Sequence, residues 1–226
     1  MNHLVVFARW PAPGRGKTRL TPALAPELKS LLSEAMLRDV LEVGRATAAD
    51  QRWLAWAEAP EGSSLPFAAE TGFRETRQSG GDLGARLEHA FAERLLGQGD
   101  RVVVAGADAP GLTPRIVADA FARLASHDVV LAPAADGGYS LLGLARPLPP
   151  LFENIPWGSD RVVERTLENA ASANLTVSSL EPLDDVDTPE DLVRLIVRSL
   201  SQPEGWPHTR RALVGMNLLP ERAARG

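Results

Sequence analysis

A three-layer α/β sandwich with a mainly parallel sheet is the fold class this sequence predicts, on three observations. Short apolar runs rich in β-branched residues alternate along the chain with longer segments of helical periodicity. The run Arg101–Ala107 is apolar on both alternating faces, as a strand covered by helices on both sides must be. Pro, Gly or Asp follows the apolar runs at once, which puts loops with chemically active side chains at strand ends, where open α/β sheets bind ligands.

Taken in order, His3–Ala8 predicts a buried strand that runs into an irregular loop at Pro11, Pro13, Gly14 and Gly16. From Ala25 to about Ala48, Leu28, Leu31, Leu32, Ala35, Met36 and Val43 recur at helical spacing, with Gly44 marking a weakening end. Arg52–Ala57 is a second strand, closed by a loop over 60–66. Leu83, Leu87, Ala90, Phe91 and Leu95 share one face of a helix over 82–96, with Asp82 as its N-cap. The central strand Arg101–Ala107 ends at Asp108, and Thr113-Pro114 supplies the cap and first residue of a helix reaching about Ala125. Asp128–Pro133 and Tyr139–Leu144 are strands, Asp160–Ala171 a helix, and Leu175–Ser179 an edge strand. Asp187-Thr188-Pro189 starts a last helix running to about Leu200, with Asp187 or Thr188 as the cap. Residues 1–200 are thus read as one catalytic domain and 201–226 as a tail or extra helix.

With 44% hydrophobic and 23% charged residues among 226, the chain can bury a continuous core. It has no Cys, so any metal must be held by oxygen or imidazole. His3, His89, His127 and His208 show no metal-type spacing. A net charge of −5 gives no global field for DNA or RNA. Neither a membrane span nor a signal peptide is predicted, because the apolar runs are short and Met1-Asn2-His3 lacks a basic region; the expected location is cytoplasmic. Oligomeric state is not legible.

Three features converge at the predicted strand ends: Arg15, Lys17 and Arg19, then Asp108, then Asp136-Gly137-Gly138. Cations and carboxylates together point to phosphates plus a divalent metal. Gly16-Lys17-Thr18 looks like the end of a P-loop, but Pro11 stands where that motif needs its first glycine, and Pro13 removes a backbone N–H from the phosphate cradle. Simpler roles exist beside these. Asp108 before Pro110-Gly111 and Asp136 before Gly137 suit turns, Lys17 and Arg19 suit a solvated surface, Asp187 suits a cap, and Trp157 suits either the core or a ring-stacking wall. Asp185, uncommitted to a cap, is the better metal partner of the two late aspartates.

The strings Phe7–Leu20, Gly80–Arg86, Gly106–Leu112, Ala135–Tyr139, Ile155–Ser159 and Asp184–Leu192, in that order, resemble the nucleotide-diphospho-sugar-transferase-like family designated DUF2064. Some of its members are assigned as arsenosugar-biosynthesis-type glycosyltransferases. The resemblance implies a glycosyltransferase-A-like, Rossmann-related fold, shared with molybdenum-cofactor and phospholactate nucleotidyltransferases. By the same resemblance, Ala8, Pro13, Gly14, Arg15, Lys17 and Arg19 receive the nucleotide and its phosphates, with Gly81, Asp82 and Arg86 bordering the same cleft. Asp108 takes the place of the carboxylate that binds Mg²⁺ or Mn²⁺, although it stands as Ala-Asp-Ala without the second acid of a D-x-D, so a metal would need Asp136, Asp185 or Asp187, substrate phosphates or water as well. Asp108, Asp136 and Lys17 are the expected catalytic groups, and Gly137, Gly138, Tyr139 and Trp157 the acceptor or sugar contacts.

Sugar transfer from a nucleotide-diphosphate sugar to a small acceptor is the expected reaction. The alternative is a nucleotidyltransferase that joins an NTP to a phosphorylated small molecule and releases pyrophosphate. Both need a cationic cradle for a diphosphate. A non-catalytic nucleotide-binding protein is the third reading, disfavoured because carboxylates beside phosphates need a cation.

Overall fold

Seven strands form one mixed sheet in a computed structural model that describes residues 1–14, 16–202 and 204–221. They are β1 (Asn2–Arg9), β2 (Gln51–Ala57), β3 (Arg74–Arg77), β4 (Arg101–Gly106), β5 (Val129–Pro133), β6 (Tyr139–Leu144) and β7 (Val177–Ser179). Their order is β3-β2-β1-β4-β6-β5-β7. All neighbouring pairs are parallel except those of β6, which lies antiparallel between β4 and β5.

The helices α1 (Pro26–Arg45), α2 (Pro66–Glu70), α3 (Leu83–Ala92), α4 (Pro114–Arg123) and α5 (Val162–Ser172) cover the two faces. On one face Leu4, Val6, Val103 and Val130 pack against Leu37 and Leu41 of α1 and Phe121 of α4. On the other, Val5, Val102, Val104 and Leu131 pack against Leu87 and Phe91 of α3 and Ala170 of α5. Alternate residues of each central strand therefore enter separate apolar layers, which is the three-layer sandwich predicted. Among the described residues, no helix is long and apolar enough to cross a membrane.

Two elements escape the sequence pattern. β3 reads Arg-Glu-Thr-Arg, with no apolar residue to alternate, because it is a half-exposed edge strand held by β2 alone. α2 occupies the end of what the sequence presents as loop. α1 ends at Arg45, one residue past Gly44, where a Cβ would lie 2.5 Å from Phe73 Cζ and 3.0 Å from Leu4 Cδ2, so the glycine also lets the helix approach the sheet closely.

A third cluster joins α1 to α6 (Pro189–Ser201) and α7 (Pro207–Gly215), through Leu32, Met36, Leu192, Leu195 and Leu213. The first residues of α7 have no cap of their own; Asp39 of α1, 3% exposed, accepts from His208 N at 3.0 Å and Thr209 N at 2.7 Å. Burial pushes the Asp39 carboxyl up, against the lowering effect of these bonds. Asp39→Ala leaves two backbone donors without a partner and is expected to cost about 2–4 kcal/mol in urea unfolding. A loss below about 0.5 kcal/mol would show that α7 is held by apolar packing alone.

Candidate active site

The carboxyl ends of β1 and β4 open on a cleft of about 460 Å³. Gly14 and Gly16 (φ +78° and +67°) and then Lys17 itself (φ 45°, ψ 43°) turn the loop left-handed. That conformation is costly for a side chain with a Cβ and is retained mainly where the surroundings enforce it. Here they do. A 3₁₀ turn over Thr18–Leu20 follows, with Leu20 fully buried in the third cluster, and the Lys17 ammonium is gripped by three oxygens. Nζ donates to Val186 O at 2.7 Å, Asp108 Oδ2 at 3.0 Å and Asp187 Oδ1 at 3.2 Å.

Lys17 and Asp108 differ in exposure. The lysine side chain is 9% exposed and that of Asp108 41%, so the carboxylate forms part of the cleft floor. Burial would raise the Asp108 carboxyl, but the Lys17 charge and hydrogen bond outweigh it and hold the group below its usual range. Burial likewise opposes the charge on Lys17, and Asp108 and Asp187 overcome it. Arg19 pairs with the other oxygen of Asp187 at 2.7 Å.

Asp187 is available for this because it is not the cap of α6. Thr188 caps the helix and Asp191 completes a capping box, with Thr188 N donating to Asp191 Oδ2 at 2.7 Å. The choice left open between Asp187 and Thr188 is thereby decided, one residue beyond the aspartate that bears on the site.

A second cavity of about 280 Å³ adjoins Asp187 and Arg19 and is lined by Asp136, Asp184, Asp185, Asp191 and Arg194. Asp136 does sit in a tight turn, where Oδ1 accepts from Gly138 N at 2.9 Å. Gly137 (φ +84°) allows no side chain, since a Cβ would lie 2.0 Å from Asp160 O. Burial, joined by the charges of Asp108, Asp187 and Asp136, pushes Asp185 up to about 7. Its ordinary value is 3.8, so the folded protein holds this proton more tightly than the unfolded chain. The stabilisation is full below about pH 4 and is lost as pH rises through 7. Asp185→Asn is therefore expected to stabilise the metal-free protein at pH 8 by about 1–3 kcal/mol and to leave it unchanged at pH 4. Equal urea midpoints for parent and variant at pH 8 would contradict this.

The other expected site residues divide. Ala8 and Arg86 line the main cleft, the latter with a guanidinium bond to Gly81 O at 3.2 Å. The Asp82 carboxylate is committed as the cap of α3, accepting from Ala85 N at 2.8 Å. Pro13 and Gly14 shape the loop without lining the cleft, and Arg15 lies outside the described residues. Tyr139 and Trp157 meet edge to face, with centroids 6.4 Å apart, against the second core layer; a Cβ on Gly84 would lie 2.6 Å from Trp157 Nε1. Gly138 donates within the Asp136 turn. Arg9 at the end of β1 and Trp10 after it, both inside the first family string, also line the cleft, as does Gln78 just past β3, which lies outside every string.

Comparisons with known proteins bear on this geometry. A 2-phospho-L-lactate guanylyltransferase of Halorubrum lacusprofundi is 28% identical over 193 residues, covering 84% of this chain and 83% of that protein. A 3-phospho-D-glycerate guanylyltransferase of Phenylobacterium zucineum is 30% identical over 186 residues, covering 79% of this chain and 83% of that one. The crystal structure of a candidate nucleotide-diphospho-sugar transferase from Desulfovibrio desulfuricans G20 superposes with a TM-score of 0.84 and 29% identity, over 97% of this chain and 99% of that one. The model of the uncharacterised proteins conserved in bacteria, DUF2064, matches residues 40–159. Because that model matches more than half of its length, the chain belongs to the DUF2064 family.

Proposed function

We propose that this protein is a nucleotidyltransferase that moves a guanylyl group from GTP to a phosphorylated small carboxylic acid. The observation that carries this reading is the cleft over β1 and β4, where Arg9, Lys17, Arg19 and Arg86 stand around Asp108 and Asp187. That cleft belongs to a chain whose relatives at 28% and 30% identity are named as guanylyltransferases of phospholactate and phosphoglycerate.

The reaction balances simply. An oxygen of the acceptor phosphate forms a bond to the α-phosphorus, the bond from that phosphorus to the bridging oxygen breaks, and pyrophosphate leaves with the electron pair. The acceptor phosphate is already ionised at neutral pH, so positioning and charge neutralisation carry the catalysis rather than proton abstraction. Arg9, Lys17 and Arg19 are suited to the β- and γ-phosphates. The second cavity, where Arg19 and Arg194 pair with Asp187 and Asp191 beside Asp136, Asp184 and Asp185, would take an anionic acceptor only with a cation bound.

A divalent cation is part of the proposal. Among the described residues, no three His, Asp or Glu side chains are arranged to enclose one ion. The donor chemistry nonetheless suits a hard cation: Asp108, Asp185 and Asp187 offer carboxylate oxygens, and burial first, then the charges of Asp108, Asp187 and Asp136, push the Asp185 carboxyl up. These residues would hold an ion only together with substrate phosphates. When bound, such an ion would neutralise the leaving pyrophosphate.

Calorimetry with GTP, UDP-glucose and GDP-mannose in Mg²⁺ tests the reading. Binding of GTP well above both nucleotide sugars supports it. Preference for a nucleotide sugar would turn the assignment to sugar transfer.

A further inference from the structure

The strand order lays out the cleft as a line. Gln78 follows β3, Arg9 and Lys17 follow β1, and Asp108 follows β4, in the order β3-β2-β1-β4. At about 4.8 Å per strand, the β3 and β4 ends are three spacings apart, enough to lay a nucleotide along the strand ends. With the phosphates over Lys17 and Asp108, the base would fall toward the β3 end, beside Trp10 and Gln78.

Gln78 is held in one orientation there. Its backbone N donates to Trp56 O at 2.9 Å, extending the β2–β3 pairing by one residue. Its side chain then reaches across β2, and Nε2 donates to Ala55 O at 2.9 Å and Ala8 O at 3.4 Å. Turning the amide over would set Oε1 against two carbonyl oxygens, so the NH₂ group faces the strands and Oε1 remains as an acceptor.

A lone acceptor without its own NH₂ alongside is selective. Guanine carries adjacent N1–H and N2–H donors that can share one oxygen. Adenine and cytosine each place a ring-nitrogen lone pair beside their amino donor, and uracil flanks N3–H with two carbonyl oxygens. We propose that Gln78 Oε1 reads the N1–H/N2–H edge of guanine and so sets the nucleotide preference of the cleft. This rests on the reading of the cleft as an NTP site.

The test is calorimetry on the full chain in Mg²⁺ with GTP, ITP (which lacks the 2-amino group), ATP and inorganic tripolyphosphate. The parent is expected to bind GTP at least about 10-fold more tightly than ATP, with ITP between them. Gln78→Met should weaken GTP by about 10-fold while ATP and tripolyphosphate stay within about 2-fold, the last serving as the control for folding. A Gln78→Met protein that keeps the parent's GTP-to-ATP ratio overturns the assignment to Gln78, as does a parent that does not separate GTP from ITP. A parent that binds tripolyphosphate but no NTP above it overturns the nucleotide reading itself.

Discussion

Asp108→Asn is expected to lower turnover by about 10³-fold while leaving the fold intact. The substitution keeps the side-chain shape, and the amide oxygen can still accept from Lys17 Nζ, which lies 3.0 Å from Oδ2. What it removes is the negative charge that Lys17 and its neighbours hold ionised on the cleft floor. Asp108 is one of the carboxylates that would hold a divalent cation, so the variant should also require more Mg²⁺ to reach half its maximal rate. Steady-state rates over a Mg²⁺ series check both points. Parent-like turnover at parent-like Mg²⁺ would remove Asp108 from the chemistry.

Lys17→Met is expected to lower kcat/KM by about 10²–10³-fold, and Lys17→Arg should not restore it. Three acceptors at 2.7, 3.0 and 3.2 Å converge on one point, which suits a compact ammonium and not a planar fork. Stability should fall too, because Asp108 and Asp187 then face each other without their shared cation. Their side chains are 41% and 28% exposed, so the cost is discounted to about 1–2 kcal/mol from that of a fully buried pair. The pH dependence follows from Asp108. Its folded value lies below 3.8, so its stabilisation is present above about pH 4 and is lost as pH falls through the folded value. Without Lys17 that acid-side loss should shrink. A Lys17→Met protein with the parent's acid unfolding profile would contradict the coupling.

The grip on Lys17 also bears on the order of events. With all three ammonium donors engaged by protein oxygens, Lys17 would reach substrate phosphates only by giving up Val186 O, Asp108 or Asp187. Giving up a carboxylate would free its oxygen for a cation, and phosphate and cation binding would then support each other.

The sequence shows the sheet and its covering helices because buried strands and amphipathic helices impose period and apolarity on the chain. β3 has neither, being an edge strand of Arg, Glu and Thr, and with it went Gln78, whose place in the cleft depends on β3 pairing with β2. The sandwiching of antiparallel β6 between β4 and β5 is also invisible locally, since pairing partners are set by topology. Lys17, Arg19 and Asp108 were legible as charges at strand ends. The role of Asp187 was not, because Asp and Thr suit a cap about equally, and only the Thr188–Asp191 box decides which one takes it. Tyr139 and Trp157 show the reverse difficulty: family motifs mark them, yet their rings serve the packing of α3 and β6 against the second core layer.

In guanylyl transfer the α-phosphate travels with the guanosine. Phosphorus NMR on a mixture of GTP, Mg²⁺ and either 2-phospho-L-lactate or 3-phospho-D-glycerate follows that atom directly. Guanylyl transfer is expected to give loss of the GTP resonances, appearance of free pyrophosphate, and a new pair of coupled signals from a phosphoanhydride between GMP and the acceptor phosphate. The Asp108→Asn protein should leave the GTP spectrum unchanged over the same interval. GTP left intact by the parent with both acceptors, alongside release of a nucleoside diphosphate from a nucleotide sugar, would contradict guanylyl transfer.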